Sequence, residues 1–154
     1  MVFVTYDDNE KTAVTGSNVD ITGTYKATNA GDYTAYVTPK DGHAWSDGTT
    51  AEKTVNWSIN KATNPLTYTS TQSVTKTYST SSQTAPLTAA SYGQGNVSYS
   101  ITSGNGSNYF SLNGSTLTIA ANTPAGTYSL AITATAAGND NYNSGYKDST
   151  VTVT

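Results

Sequence analysis

The segment Ala125-Gly126-Thr127-Tyr128-Ser129-Leu130-Ala131-Ile132-Thr133 repeats the pattern of Ala30-Gly31-Asp32-Tyr33-Thr34-Ala35-Tyr36-Val37-Thr38. After Ala-Gly, both place Tyr and then aliphatic residues at alternate positions, the period of a half-buried strand. Each copy then passes through a loop, with Gly42 and Trp45 in the first and Gly138 and Tyr142 in the second. Each reaches a closing strand, Thr54-Val55-Asn56-Trp57 or Thr150-Val151-Thr152-Val153. From Ala30 to Val55 is 25 positions and from Ala125 to Val151 is 26, so the two hairpins match almost without gaps. The expectation is an all-β chain of two small antiparallel β-sandwich modules in tandem, residues 1–61 and 62–154.

Alternation extends through the rest of the chain, and no segment has the period of a helix. Val55, Trp57 and Ile59 point one way and Thr54, Asn56 and Ser58 the other; Val97, Tyr99 and Ile101 alternate with Ser98, Ser100 and Thr102. The sharpest hairpin signal is Asn113-Gly114 between Tyr109-Phe110-Ser111-Leu112 and Thr116-Leu117-Thr118-Ile119. Asn-Gly supplies the positive φ angles of a primed turn. Gly, Pro and Asn recur at intervals of roughly 8–12 residues, as in sandwiches. Segment 70–86 looks low in complexity, but Val74, Tyr78, Pro86 and Leu87 break it, so edge strands and loops are expected there rather than disorder. The boundary falls at Lys61-Ala62-Thr63-Asn64-Pro65, where proline biases Asn64 towards an extended backbone and predicts a short, stiff linker.

Composition narrows the setting. Small modules have small cores and are often supported by disulfides, yet cysteine is absent here. That argues against a eukaryotic secretory origin and leaves a bacterial surface protein open. Only 11% of residues are charged, and arginine is missing. The net charge of −3 comes from the first module, where Lys11, Lys26, Lys40, Lys53 and Lys61 face eight acids; Lys76 and Lys147 balance Asp140 and Asp148 in the second. Neither half can neutralise a phosphate backbone, so nucleic acid is excluded as a partner. No apolar run reaches membrane-spanning length and no signal peptide opens the chain. The expectation is a piece of a longer protein whose export and anchoring signals lie elsewhere.

The second module carries Thr71-Gln72-Ser73-Val74-Thr75-Lys76-Thr77-Tyr78, Tyr109-Phe110-Ser111-Leu112, Thr123-Pro124-Ala125-Gly126-Thr127-Tyr128 and Ala134-Thr135-Ala136-Ala137-Gly138-Asn139-Asp140-Asn141-Tyr142. With these it resembles the immunoglobulin-like or cadherin-like repeats of large bacterial cell-surface proteins. The first carries Tyr6-Asp7-Asp8-Asn9-Glu10-Lys11, Gly23-Thr24-Tyr25-Lys26-Ala27-Thr28-Asn29-Ala30-Gly31-Asp32-Tyr33 and Trp45-Ser46-Asp47-Gly48-Thr49-Thr50. It looks like a shorter repeat found beside such modules in surface proteins of Gram-positive gut bacteria. The resemblance implies an extracellular, surface-attached, non-enzymatic stalk or adhesin repeat, monomeric, whose partner is a host or cell-wall glycan or protein. A carbohydrate-binding accessory module of a secreted hydrolase is the alternative.

Chemistry is sparse. His43 is the lone histidine, sits in the loop Asp41-Gly42-His43-Ala44-Trp45, and has no nucleophile-elbow motif beside it. One histidine without cysteine does not make a zinc site. Asn139-Asp140-Asn141, Asp148, Asp41 and Asp47 offer oxygens, but no loop has the glycine phase and closing glutamate of a calcium loop, so the reading is turn chemistry and no cofactor. Lys53 and Lys76 share the inward parity of their strands, which raises an internal lysine–asparagine cross-link; the simpler reading lays each stem over the core with its ammonium in water. Tyr33 and Tyr128 are expected as core or corner tyrosines and Trp57 as core. That leaves Trp45, Tyr36, Tyr142 and Tyr146 as candidate ligand contacts, since interfaces favour Tyr and Trp.

Overall fold

The alternating segments are strands in the computed structural model, which describes residues 2–154. They are β1 (Val2–Thr5), β2 (Lys11–Thr12), β3 (Val19–Gly23), β4 (Lys26–Ala27), β5 (Gly31–Pro39) and β6 (Lys53–Asn60). There follow β7 (Thr71–Val74), β8 (Gln83–Pro86), β9 (Val97–Gly104), β10 (Phe110–Asn113), β11 (Thr116–Ile119), β12 (Tyr128–Ala136) and β13 (Gly145–Val153), with a 3-10 turn at Ser107–Tyr109. The fold is all-β, two small sandwiches in tandem along the chain. One compact unit is the chain up to Ala62 together with Asp140–Tyr142; the other is Thr63–Asn139 with Asn143–Thr154.

In the first unit the main sheet has the order β1-β6-β5-β3, and β2 pairs with β4 in a small separate ladder. The β5-β6 hairpin runs from Gly31↔Ile59 to Val37↔Lys53, so Ala35, Val37, Trp57 and Ile59 share the inward face and are buried. Trp57 anchors this core. Burying an indole requires a partner for its N–H, and Nε1 donates to the Thr24 carbonyl at 2.7 Å. The Tyr33 ring lies over it with centroids 4.9 Å apart.

The second unit packs the sheet β7-β13-β12-β9 and the sheet β10-β11-β8. Leu117, Ile119 and Phe110 from one, with Leu130, Ile132, Val151 and Val153 from the other, form the buried cluster. Two details differ from the sequence expectation. First, the sheets are not wholly antiparallel: β1 runs parallel to β6, and β7 parallel to β13. Neither pair is joined by a hairpin, so nothing local sets its direction. Second, Asn113 pairs with Thr116 across β10-β11, which makes the turn Gly114-Ser115 rather than Asn113-Gly114. Gly114 alone supplies a positive φ, 59°, at the first central position where a II′ turn wants glycine.

The repeated tyrosines are corners. Tyr33 donates its hydroxyl to the Asn29 carbonyl at 2.6 Å, and Tyr128 donates to the Pro124 carbonyl at 2.7 Å. Both bonds span four residues back, and both rings are half-buried at the margin of the core rather than enclosed between sheets. Lys53 and Lys76 are exposed, and the Lys53 ammonium stands 4.8 Å from the centre of the Trp45 ring.

Asn64, read from sequence as linker, is a structural tie of the second unit. It is 8% exposed. Its Nδ2 donates to the carbonyls of Gln94 and Asn143, both at 3.0 Å, and its Oδ1 accepts the Gln94 N–H at 3.0 Å. Gly145 lies so close that an added Cβ would stand 3.0 Å from the Asn64 Cβ.

Candidate functional site

The four aromatic residues singled out from the sequence stand on different elements. Trp45 sits in the β5-β6 loop, half-buried. Its Nε1 donates to the Ala51 carbonyl at 2.7 Å and Lys53 covers its ring, so the side chain holds the loop together. Asp47 reinforces that loop by accepting the Thr49 hydroxyl at 2.6 Å and the Thr49 N–H at 2.9 Å. Tyr36 is 38% exposed on the outer face of the first sheet, between Thr22 and Thr54 of the neighbouring strands. Tyr142 belongs to the first unit and meets Tyr6 edge-on, centroids 5.4 Å apart. Tyr146 is 68% exposed, opposite Thr135 on the outer face of the second sheet.

A concavity that the sequence reading did not anticipate lies at one end of the second unit. It is a groove of about 270 Å³ between the segment Lys76–Tyr78, which follows β7, and the segment Pro124–Tyr128, which leads into β12. Phe110, Ile119, Val153 and Thr154 also line it. Tyr128 meets Phe110 edge-on at 5.3 Å. Tyr78, 56% exposed, hydrogen-bonds through its hydroxyl to Asn122 Oδ1 at 3.2 Å.

The perturbed acids are structural. The Lys11 ammonium beside Asp7 holds its carboxyl below the usual range, and the Thr49 hydroxyl does the same for Asp47. Tyr6 is raised by its bond to Asp8, and Tyr68 by burial. Asp148 accepts the Thr133 hydroxyl at 2.6 Å. His43 is an exposed loop residue whose N–H donates to the Lys40 carbonyl at 2.9 Å. Among the described residues no three of His, Cys, Asp and Glu converge as metal ligands, and no helix is long and apolar enough to cross a membrane.

No family model matches the chain, and no curated protein matches it in sequence. Among solved structures it is similar to mouse cadherin-23 EC22-24, at 12% identity and TM-score 0.47, covering 99% of this chain and 62% of that one. Human mucin-like protocadherin EC1-2 is similar at 13% identity and TM-score 0.45, with 99% and 94% covered. The endo-fucoidan hydrolase MfFcnA9 of glycoside hydrolase family 107 is similar at 14% identity and TM-score 0.40, with 95% of this chain matching 27% of that one. Likenesses at this level carry no argument about activity or partner.

Proposed function

We propose that the chain is a non-catalytic stalk or adhesin repeat of a bacterial cell-surface protein, spacing or presenting a binding region, with modules 1–61 and 62–154. The observation that carries this reading is the doubled plan: two β-modules in series, each closing a tyrosine corner four residues back from the same Ala-Gly-x-Tyr motif. The outer faces suit a hydrated, weakly charged surface. Thr34 donates to Asn56 at 3.0 Å on the first, and Thr133 to Asp148 on the second. Ligand contacts on Trp45, Tyr36, Tyr142 and Tyr146 belong to the same proposal.

The groove beside Tyr78 and Tyr128 favours a second reading, a carbohydrate-binding accessory module of a secreted hydrolase, because small-ligand sites are concave, apolar and aromatic-lined. A glycan array separates the two. The repeat reading expects either no glycan or one whose binding is lost in Tyr36→Ala or Tyr146→Ala. Binding lost only in Tyr78→Ala supports the accessory module and overturns the repeat.

A further inference from the structure

Both Asn-Gly pairs of the chain, Asn105-Gly106 and Asn113-Gly114, lie in the second module. An asparagine before glycine is open to attack on its own side chain, because the next residue has no Cβ to shield its backbone nitrogen. Both asparagines are exposed, so anchoring is what separates them. Asn105 is tied at both ends of its amide: Oδ1 accepts the Ser129 N–H at 2.8 Å, and Nδ2 donates to the Thr127 carbonyl at 3.3 Å. Gly106 is covered as well. A Cβ added there would stand 2.6 Å from the Tyr128 ring, and the Gly106 carbonyl accepts the Tyr109 N–H at 2.9 Å. Asn113 ends β10, and its side-chain amide has no hydrogen-bond partner among the described residues. Gly114 follows at a φ of 59°, with nothing within 4 Å of an added Cβ. Its nitrogen belongs to the turn, beyond the last ladder pair Asn113↔Thr116.

We propose that Asn113 is a site of spontaneous deamidation, selected over Asn105 by the unanchored tip of the β10-β11 hairpin. The Gly114 nitrogen gives its proton to solvent and attacks Asn113 Cγ. The new N–C bond closes a five-membered imide as the Cγ–Nδ2 bond breaks, and the leaving nitrogen takes a proton from water to depart as ammonia. Water then opens the imide. Addition at Cγ gives aspartate, and addition at the main-chain carbonyl carbon gives isoaspartate. Ring closure needs Asn113 to leave its extended backbone, so the reaction runs through openings of the hairpin tip, and a ladder end parts far more readily than a whole module unfolds. Isoaspartate routes the main chain through Cβ and Cγ, one extra atom in a two-residue turn. Turn length fixes hairpin register, so this product disturbs the facing of Leu112 and Leu117 and the 3.0 Å bond from the Leu87 N–H to the Ser115 carbonyl. The site is independent of the stalk or accessory reading.

The test ages the intact chain at mildly alkaline pH and body temperature beside the free peptide Ser-Leu-Asn-Gly-Ser-Thr-Leu. Peptide mapping by mass spectrometry follows both asparagines, each event adding about one dalton, with fragmentation that separates aspartate from isoaspartate. The free peptide should react fastest and Asn113 next. Asn105 should trail Asn113 by about tenfold or more, because two hydrogen bonds have to break first. The aged parent should melt lower in its second module. Aged Asn113→Gln, whose longer side chain closes a six-membered ring far more slowly, should melt like fresh protein. The proposal is overturned if Asn105 converts as fast as Asn113, or if Asn113 is unconverted once the free peptide has reacted completely. Equal losses of melting temperature in the aged parent and in aged Asn113→Gln also overturn it.

Discussion

The first and second modules share a corner, a hairpin and an edge strand, but they are stabilised differently. The first gathers its core around one indole, Trp57, with Ala35, Val37 and Ile59 as the other buried apolar side chains among the described residues. The second spreads its burial over two sheets, from Leu117 and Phe110 to Leu130, Ile132 and Val151. The same motif thus serves both a small core dependent on one residue and a larger core dependent on none. What differs is the layer opposite the hairpin.

The largest effect expected from this contrast is at Trp57. Trp57→Ala should cost about 3–5 kcal/mol, comparable to the whole stability of a domain this small, and should unfold the first module at 25 °C. Leu117→Ala costs about 2–5 kcal/mol by the same rule but should leave the second module folded, with a lowered midpoint. Denaturant unfolding followed by module-resolved NMR signals checks both. A folded first module in Trp57→Ala would mean that its core is not centred on the indole.

Next comes Asn64→Ala, which strips partners from Gln94 N–H and from the carbonyls of Gln94 and Asn143 at a buried site. Leaving such groups unsatisfied costs about 1–3 kcal/mol, and the loss should fall on the second module's transition. Loss confined to the first module would contradict its role as a tie.

Smaller still are Tyr33→Phe and Tyr128→Phe, each removing one hydroxyl bond worth about 0.5–1.5 kcal/mol. The two losses should agree, each in its own module; a clear inequality would break the equivalence of the corners.

The smallest effect concerns acid. Asp7 and Asp47, both in the first module, have carboxyls held below their ordinary value of 3.8, by Lys11 and by Thr49 respectively. A depressed folded value means that their contribution is complete above 3.8 and is lost as pH falls through the lowered values. Both groups are exposed, so the contribution is weak and screened by salt. Thermal melts of the first module at pH 6 and pH 2 should show a smaller acid drop in the Asp7→Asn/Asp47→Asn double variant than in the parent, and an equal drop would remove the assignment.

How much of this was readable beforehand follows the range of the interactions. Alternation placed Ala35, Val37, Trp57, Leu130 and Ile132 inward, and the Ala-Gly-x-Tyr repeat marked both corners, because these depend on the period of the strand and on neighbours four residues away. The Asn113-Gly114 turn was found but offset by one residue, since register is set by Leu112 facing Leu117 and not by the turn alone. Asn64 was misread because a buried amide bonded to Gln94 and Asn143 looks, in sequence, like any polar residue before proline. The directions of β1 and β7 were hidden for the same reason, as their partners lie 55 and 79 positions further on, at Trp57 and Val153. Of the candidate contacts, exposure at Tyr36 follows from its parity opposite Ala35 and Val37, whereas the engagement of Trp45 by Lys53 and Ala51 depends on how its loop folds back. The groove was hidden because the segments that line it, Lys76–Tyr78 and Pro124–Tyr128, are far apart in the chain.

The most direct test of the account addresses its central claim, that one module plan is built twice. Residue-resolved amide hydrogen exchange on the intact chain reads it at paired positions. Tyr6, bonded to Asn60, should be protected, and so should Lys76, bonded to Thr154. Ala35 and Leu130, counterparts in the central strands β5 and β12, should both be among the last amides of their modules to exchange. Rapid exchange at either Ala35 or Leu130 would contradict the account, because it would show the plan built in one copy only.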